Sequence, residues 1–247
     1  MEPDREWWLR VPAVFLSPKS VFVALRNDSR EDVDARSEPV LALTALAGIA
    51  TALASSTART LYDDPEYDAV NIAVWAVIAG GFIAFAGYFI VGGALYLGTR
   101  GMGSIGTFRR ARHLLGFALA PIALSLLLVW PLQLAFYGGD VFRRGGSDGG
   151  MGARLFDLLE LGFAAWSAVL LLVGVRAVHG WTWWRSLAAL GLVILFLAAF
   201  ASLRTVLWGF LEELELAGGH RVRVLLLREA ALANLFHVGA DGRLDHL

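Results

Sequence analysis

The chain has 247 residues, of which 57% are hydrophobic and 17% charged, with a formal net charge of −1, no cysteine and a mean hydropathy of +0.60. An average soluble domain is about 45–50% apolar and about 25% charged. The composition excludes a disordered chain, a secreted disulfide scaffold and a nucleic-acid binder drawn by net charge, and it points to an all-α, polytopic membrane helix bundle.

Segment 1–38 opens with Glu2, Asp4 and Glu6, unlike the basic and then apolar regions of a signal peptide. Trp7, Trp8, Val11, Val14 and Phe15 recur at helical spacing beside Arg5 and Arg10. Ser17-Pro18 follows, an N-cap hydroxyl with Pro at the first helical position, and Val21, Phe22 and Leu25 share the next apolar face. The pattern predicts one or two short amphipathic helices. They either lie in the membrane interface or dock on the bundle, since both use the same face.

Crossing the hydrocarbon core takes about 20 apolar residues in a helix. Five windows are free of Asp, Glu, Lys and Arg: 39–58, 69–99, 114–139, 161–175 and 186–203. They predict a five-span bundle over 39–211. The first window is rich in Ala, Thr and Ser, so lipid draws it in weakly. Small residues recur every fourth position along it (Gly48, Ala52, Ser56) and along the second (Ala76, Gly80, Ala84), marking faces expected to turn inward.

After the second window, 101–106 matches G-x-G-x-x-G. A dinucleotide site needs a strand before this motif, and here a span precedes it, so a loop is expected. Thr107 is placed to cap a helix beginning at Phe108. Pro121 and Pro131 interrupt the hydrogen-bond ladder of the third span. The fourth window is short and must borrow 155–160, which brings Asp157 and Glu160 to the membrane edge, with Arg154 in reach of Asp157. Trp181, Trp183 and Trp184 before the fifth span, and Trp208 near its end, suit interface anchors, and Arg204 suits headgroup level. Residues 212–247 form a polar tail in which 221–224 alternates like a strand and 229–236 suits a helix.

Lys and Arg distribute unevenly. Segment 1–38 carries six, the loop after the second span Arg100, Arg109, Arg110 and Arg112, and the loop after the fourth Arg176 and Arg185. The alternate loops carry only Arg59, Arg143, Arg144 and Arg154. Basic loops favour the cytoplasm, so the N-terminus is expected there, in the cell membrane. Five Arg in residues 204–247 then lie outside.

Motifs for catalysis are missing. Glu212-Glu213 resembles the paired acids of intramembrane prenyl-type proteases, but that pattern needs Arg where Ala217 stands. There is no H-E-x-x-H or G-x-S-x-G. The five His (His113, His179, His220, His237, His246) show no helical pair spacing that would suggest zinc. Two candidate sites remain. Arg109, Arg110 and Arg112 at a helix start suit a lipid phosphate. Asp157 and Glu160, one turn apart, suit a proton or cation path.

The stretch 106–121, G-T-F-R-R-A-R-H-L-L-G-F-A-L-A-P, resembles the core of the Yip1 domain family, in which a basic loop enters a span through a Gly-aromatic-x-x-x-Pro step, here Gly116, Phe117 and Pro121. Residues 166–187 resemble the span ending in Gly-x-Arg, the His-Gly turn and the new span of prokaryotic members, and W-L-R-V-P-A-V-F-L-S-P resembles their Ser-Pro entry. The resemblance implies five spans, a cytoplasmic N-terminus and an outside C-terminus. Eukaryotic relatives bind prenylated small GTPases, but their Asp-Leu-Tyr-Gly-Pro motif is absent; Leu61-Tyr-Asp-Asp-Pro65 departs from it, so that partnership is not carried over. These readings lead to a non-enzymatic, membrane-organising or partner-binding protein. No cofactor, metal or nucleic acid is expected; its partners are the lipid bilayer and other membrane proteins or further copies of itself. The alternative is a small transporter or channel subunit using Asp157 and Glu160.

Overall fold

A computed structural model describes residues 3–27, 29–146, 150–203 and 205–208. The expectations for Arg204, Glu212-Glu213, His220, His237, His246 and the tail 212–247 lie outside these residues, as does the side chain of Arg5. The described part is all helical. The chain divides into a unit Met1–Phe196 and a unit Leu197–Leu247.

Helix α1 (Pro3–Leu16) contains Pro12, and α2 (Pro18–Ala24) starts with Pro18 at its first position. Ser17 stands at the N-cap of α2, but its side chain makes no capping bond. Both helices dock and also keep apolar residues outside. Trp7 and Val14 are buried, and Trp7 lies 5.7 Å from the Phe117 ring. Phe22 is buried against Gly174. Trp8, Leu9 and Leu16 remain exposed on α1.

Helix α3 (Arg30–Leu53) begins nine residues before the first apolar window, because Ser29 caps it by accepting from the backbone N–H of Asp32 at 3.2 Å. At 1.5 Å rise per residue it is about 36 Å long. It packs against α1, α6 and α7 and most extensively against α4 (Ala69–Ala86). Four helices are long and apolar enough to span by length and composition: Ala69–Gly101, Phe108–Phe142, Met151–His179 and Trp183–Trp208. α3, which holds the first apolar window, fails that test, and helices on several sides shield it. Its buried positions include Arg36, Thr44, Ala47 and Gly48. A helix facing protein needs small, closely packing residues more than hydrocarbon-loving ones.

The second span, Ala69–Gly101, runs through α4, one π-helical turn (Gly87–Val91) and α5 (Gly92–Gly101). Asp68 caps it by accepting from Asn71 N–H at 2.7 Å. The small faces of the first two spans meet each other. A Cβ on Gly48 would stand 2.3 Å from the Gly80 carbonyl oxygen and 2.7 Å from Ala84 Cβ. Residues 102–107 form the loop expected from the glycine motif, and Thr107 caps α6 (Phe108–Ala118), accepting from Arg110 N–H at 3.1 Å. The third span breaks at Leu119, two residues before Pro121, and resumes as α7 (Ala120–Tyr137), which contains Pro131.

The fourth span is longer than its apolar window. α8 runs Met151–His179 and ends on Gly180, whose φ of +67° suits a residue without a side chain. α9 follows after a short turn as Trp183–Trp208. It crosses α5 at Gly98, where a Cβ would stand 2.7 Å from the Ala189 carbonyl oxygen. The outward faces of α4, α7 and α8 expose large apolar side chains, among them Val74, Phe82, Leu128, Leu132, Leu158 and Val169. In water this pattern is a liability, and in lipid it matches the solvent.

Candidate functional site

The chain weaves back and forth, so charges from distant segments gather at each end, with Lys and Arg in excess at one and Asp and Glu at the other. At one end lie α1, α2 and the starts of α3, α6 and α9, with the ends of α5 and α8. They carry Arg10, Lys19, Arg26, Arg30, Arg36, Arg100, Arg109, Arg110, Arg112, Arg176 and Arg185 against Glu6, Glu31, Asp32, Asp34 and Glu38. At the other end the loop 54–68, the segment 138–146 and the start of α8 carry Asp63, Asp64, Glu66, Asp68, Asp140, Asp157 and Glu160 against four Arg.

Within the basic end, the three predicted Arg have different environments. Arg109 is exposed. Arg110 is half-buried, donates to the Arg26 carbonyl at 3.1 Å, and lines a small cavity with Ser104 and His179. Arg112 lies across the Gly92 backbone, with its guanidinium 4.5 Å from the Phe108 ring and 4.8 and 4.9 Å from those of Tyr88 and Phe89. Such stacking is worth about 0.5–2 kcal/mol per cation and favours Arg over Lys. Arg109 faces outward, while Arg110 and Arg112 help hold the helices that present it.

Two structural arginines escape the sequence reading, which counts them only among the charges of segment 1–38. Arg36 is fully buried. Its Nε donates to His113 Nδ1 at 2.8 Å and its NH1 to the Asn27 carbonyl at 2.7 Å. The signal that places it inside a helix is Ser29 followed three residues later by Asp32, a capping pair. Arg26 donates from Nε to the carbonyls of Ala177 and Val178 at 3.1 Å, covering the open C-terminal end of α8. The tryptophans after that end also engage charge. Arg176 lies 4.4 Å from the Trp183 ring and Arg185 4.5 Å from the Trp181 ring, while Trp184 stays exposed.

At the acidic end the structure brings Asp157 and Glu160 beside α7. The ion pair of Asp157 is with Arg59, 2.9 Å away, a residue from the loop after α3 and not the nearby Arg154 that sequence spacing suggests. Glu160 accepts from Gln133 Nε2 at 3.2 Å. A cleft of about 320 Å³ opens beside them, walled by α3, α7 and α8. A larger hollow of about 540 Å³ lies between α3, α4 and α7, lined by Ile49, Ala73, Val77, Leu126, Pro131 and Leu134 among others. Among the described residues no three His, Asp or Glu gather as a metal site requires.

Apolar helices of spanning length, exposed apolar flanks and charge confined to the two ends define a multi-pass integral membrane protein. The family model of the Yip1 domain matches residues 13–203, and the chain belongs to that family. No curated protein and no solved structure matches it.

Proposed function

We propose that this protein works by binding and not by catalysis: it sits in the cell membrane with its N-terminus and basic end in the cytoplasm, and there it organises anionic lipid and other membrane proteins. One observation carries the reading. Chain segments far apart in sequence deliver eleven Lys and Arg to one end, outnumbering the carboxylates Glu6, Glu31, Asp32, Asp34 and Glu38 there, with Arg109 and Lys19 exposed on it. Each basic residue held near an anionic leaflet is worth about 1 kcal/mol of attraction. The exposed apolar edge of α1 (Trp8, Leu9, Leu16) lies beside this charge and suits the headgroup boundary.

The test uses the full chain in nanodiscs. Lys19→Glu with Arg109→Glu is expected to weaken retention of phosphatidylglycerol or phosphatidylserine, most at low salt, without lowering the unfolding temperature. Unchanged retention at both low and high salt would overturn the reading. Cross-linking and co-purification from native membranes then separates a partner-binding scaffold from a solitary protein.

A further inference from the structure

The acidic end holds a second, chemically distinct place, which is independent of the reading above. Its floor and walls are mostly apolar, with Ala50 and Ala54 of α3, Ile122 of α7, and Leu161 and Ala164 of α8, beside the hydroxyl residues Thr51 and Ser125. Its rim carries Asp157 and Glu160. Asp157 and Trp130 also line a small adjoining cavity with Arg59 and Gln133. Gln133 is 7% exposed, and its Oε1 is buried with no hydrogen-bond partner. Its Nε2 is already committed to Glu160, so the amide leaves a bare acceptor within the wall of this cavity. A buried acceptor without a donor costs about 1–3 kcal/mol. The arrangement therefore lacks one N–H or O–H group.

We propose that this cleft binds a phospholipid with a primary ammonium headgroup from the leaflet at the acidic end. The ammonium supplies the missing donor to Gln133 Oε1 and meets the carboxylates of Glu160 and Asp157. Arg59, half-exposed beside Asp157, meets the phosphate. The acyl chains follow the alanine-lined wall between α3 and α8. A bare metal cation accounts for the carboxylates but not for the apolar wall. An anionic lipid without the amine meets Asp63, Asp64, Glu66 and Asp68 on the loop nearby and is repelled.

The experiment places the full chain in detergent and in nanodiscs and measures co-purifying lipid by native mass spectrometry, with phosphatidylethanolamine and phosphatidylglycerol as probes. The wild type is expected to retain phosphatidylethanolamine over phosphatidylglycerol. Glu160→Gln with Asp157→Asn lowers that preference about tenfold, the loss of one charged hydrogen bond. Ala164→Trp, at an exposed position on the wall, blocks the chains with both carboxylates intact and lowers retention of phosphatidylethanolamine while the helical circular dichroism is unchanged. Equal retention of the two lipids by the wild type, or full retention by the correctly folded Ala164→Trp variant, would overturn the proposal. Soluble phosphoethanolamine binding as tightly as the lipid would overturn it too, because the acyl wall would then contribute nothing.

Discussion

Arg36 is the residue whose loss matters most to the basic end. Its guanidinium is wholly buried, and it joins α3 to the start of α6 through His113 and to the α2–α3 turn through the Asn27 carbonyl. Nε of Arg always carries its hydrogen, so Nδ1 of His113 is the acceptor and the ring proton sits on Nε2. Arg36→Met removes both bonds and leaves the buried His113 Nδ1 without a donor. The expected cost is about 2–4 kcal/mol, read as a lower unfolding temperature in detergent. His113→Ala is expected to lose part of the same energy, so the double variant should be less destabilised than the two singles added together. Arg112→Lys is a gentler test of the aromatic setting. Its charge survives, but the planar stack on Phe108, Tyr88 and Phe89 is lost, at about 1 kcal/mol.

Among the elements, the contact of α3 with α4 is set by two glycines. The backbones approach so closely that Gly48→Val and Gly80→Val each drive a side chain into the opposing backbone, so each should destabilise by several kcal/mol or prevent folding. Gly81 is the control. It is one residue along, exposed, and nothing stands within 4 Å of a Cβ there, so Gly81→Ala should stabilise the helix by up to about 1 kcal/mol. Resistance to unfolding in graded denaturing detergent measures all three. Such contacts explain which parts of the fold are legible from sequence. Length and apolarity mark the spans that face lipid, since lipid selects for those properties. The small-residue periods at Gly48 and Gly80 mark the faces that touch. Composition underrates α3 because its environment is protein, and a run of charge from Arg30 to Glu38 hides its first two turns. The candidate sites are legible only in part. Spacing along one helix pairs Arg154 with Asp157, whereas Arg59 arrives from 98 positions away. Gln133 lies in an otherwise apolar helix, and the sequence reading passes over it; its role depends on the facing turn of α8.

For the molecule as a whole, the proposed orientation rests on the separation of charge. The potential that favours Lys and Arg on the cytoplasmic side acts on the loops flanking each span. Here all the strongly basic segments lie at one end, because α3, the second span, the third, α8 and α9 alternate in direction. The α2–α3 junction, the 102–107 loop and the α8–α9 turn therefore take the same side. The native chain has no cysteine, so a single introduced thiol reports one position without background. Ile105, 95% exposed, lies in the basic-end loop, and Asp64 is exposed at the acidic end. In intact cells an impermeant maleimide should label Asp64→Cys and spare Ile105→Cys, and lysis should make Ile105→Cys reactive. The opposite pattern would put the basic end outside and remove the anionic leaflet from the proposed function. Labelling at both positions in intact cells would break the alternation itself, since it requires an odd number of passes between Asp64 and Ile105. The single helix Ala69–Gly101 supplies that pass.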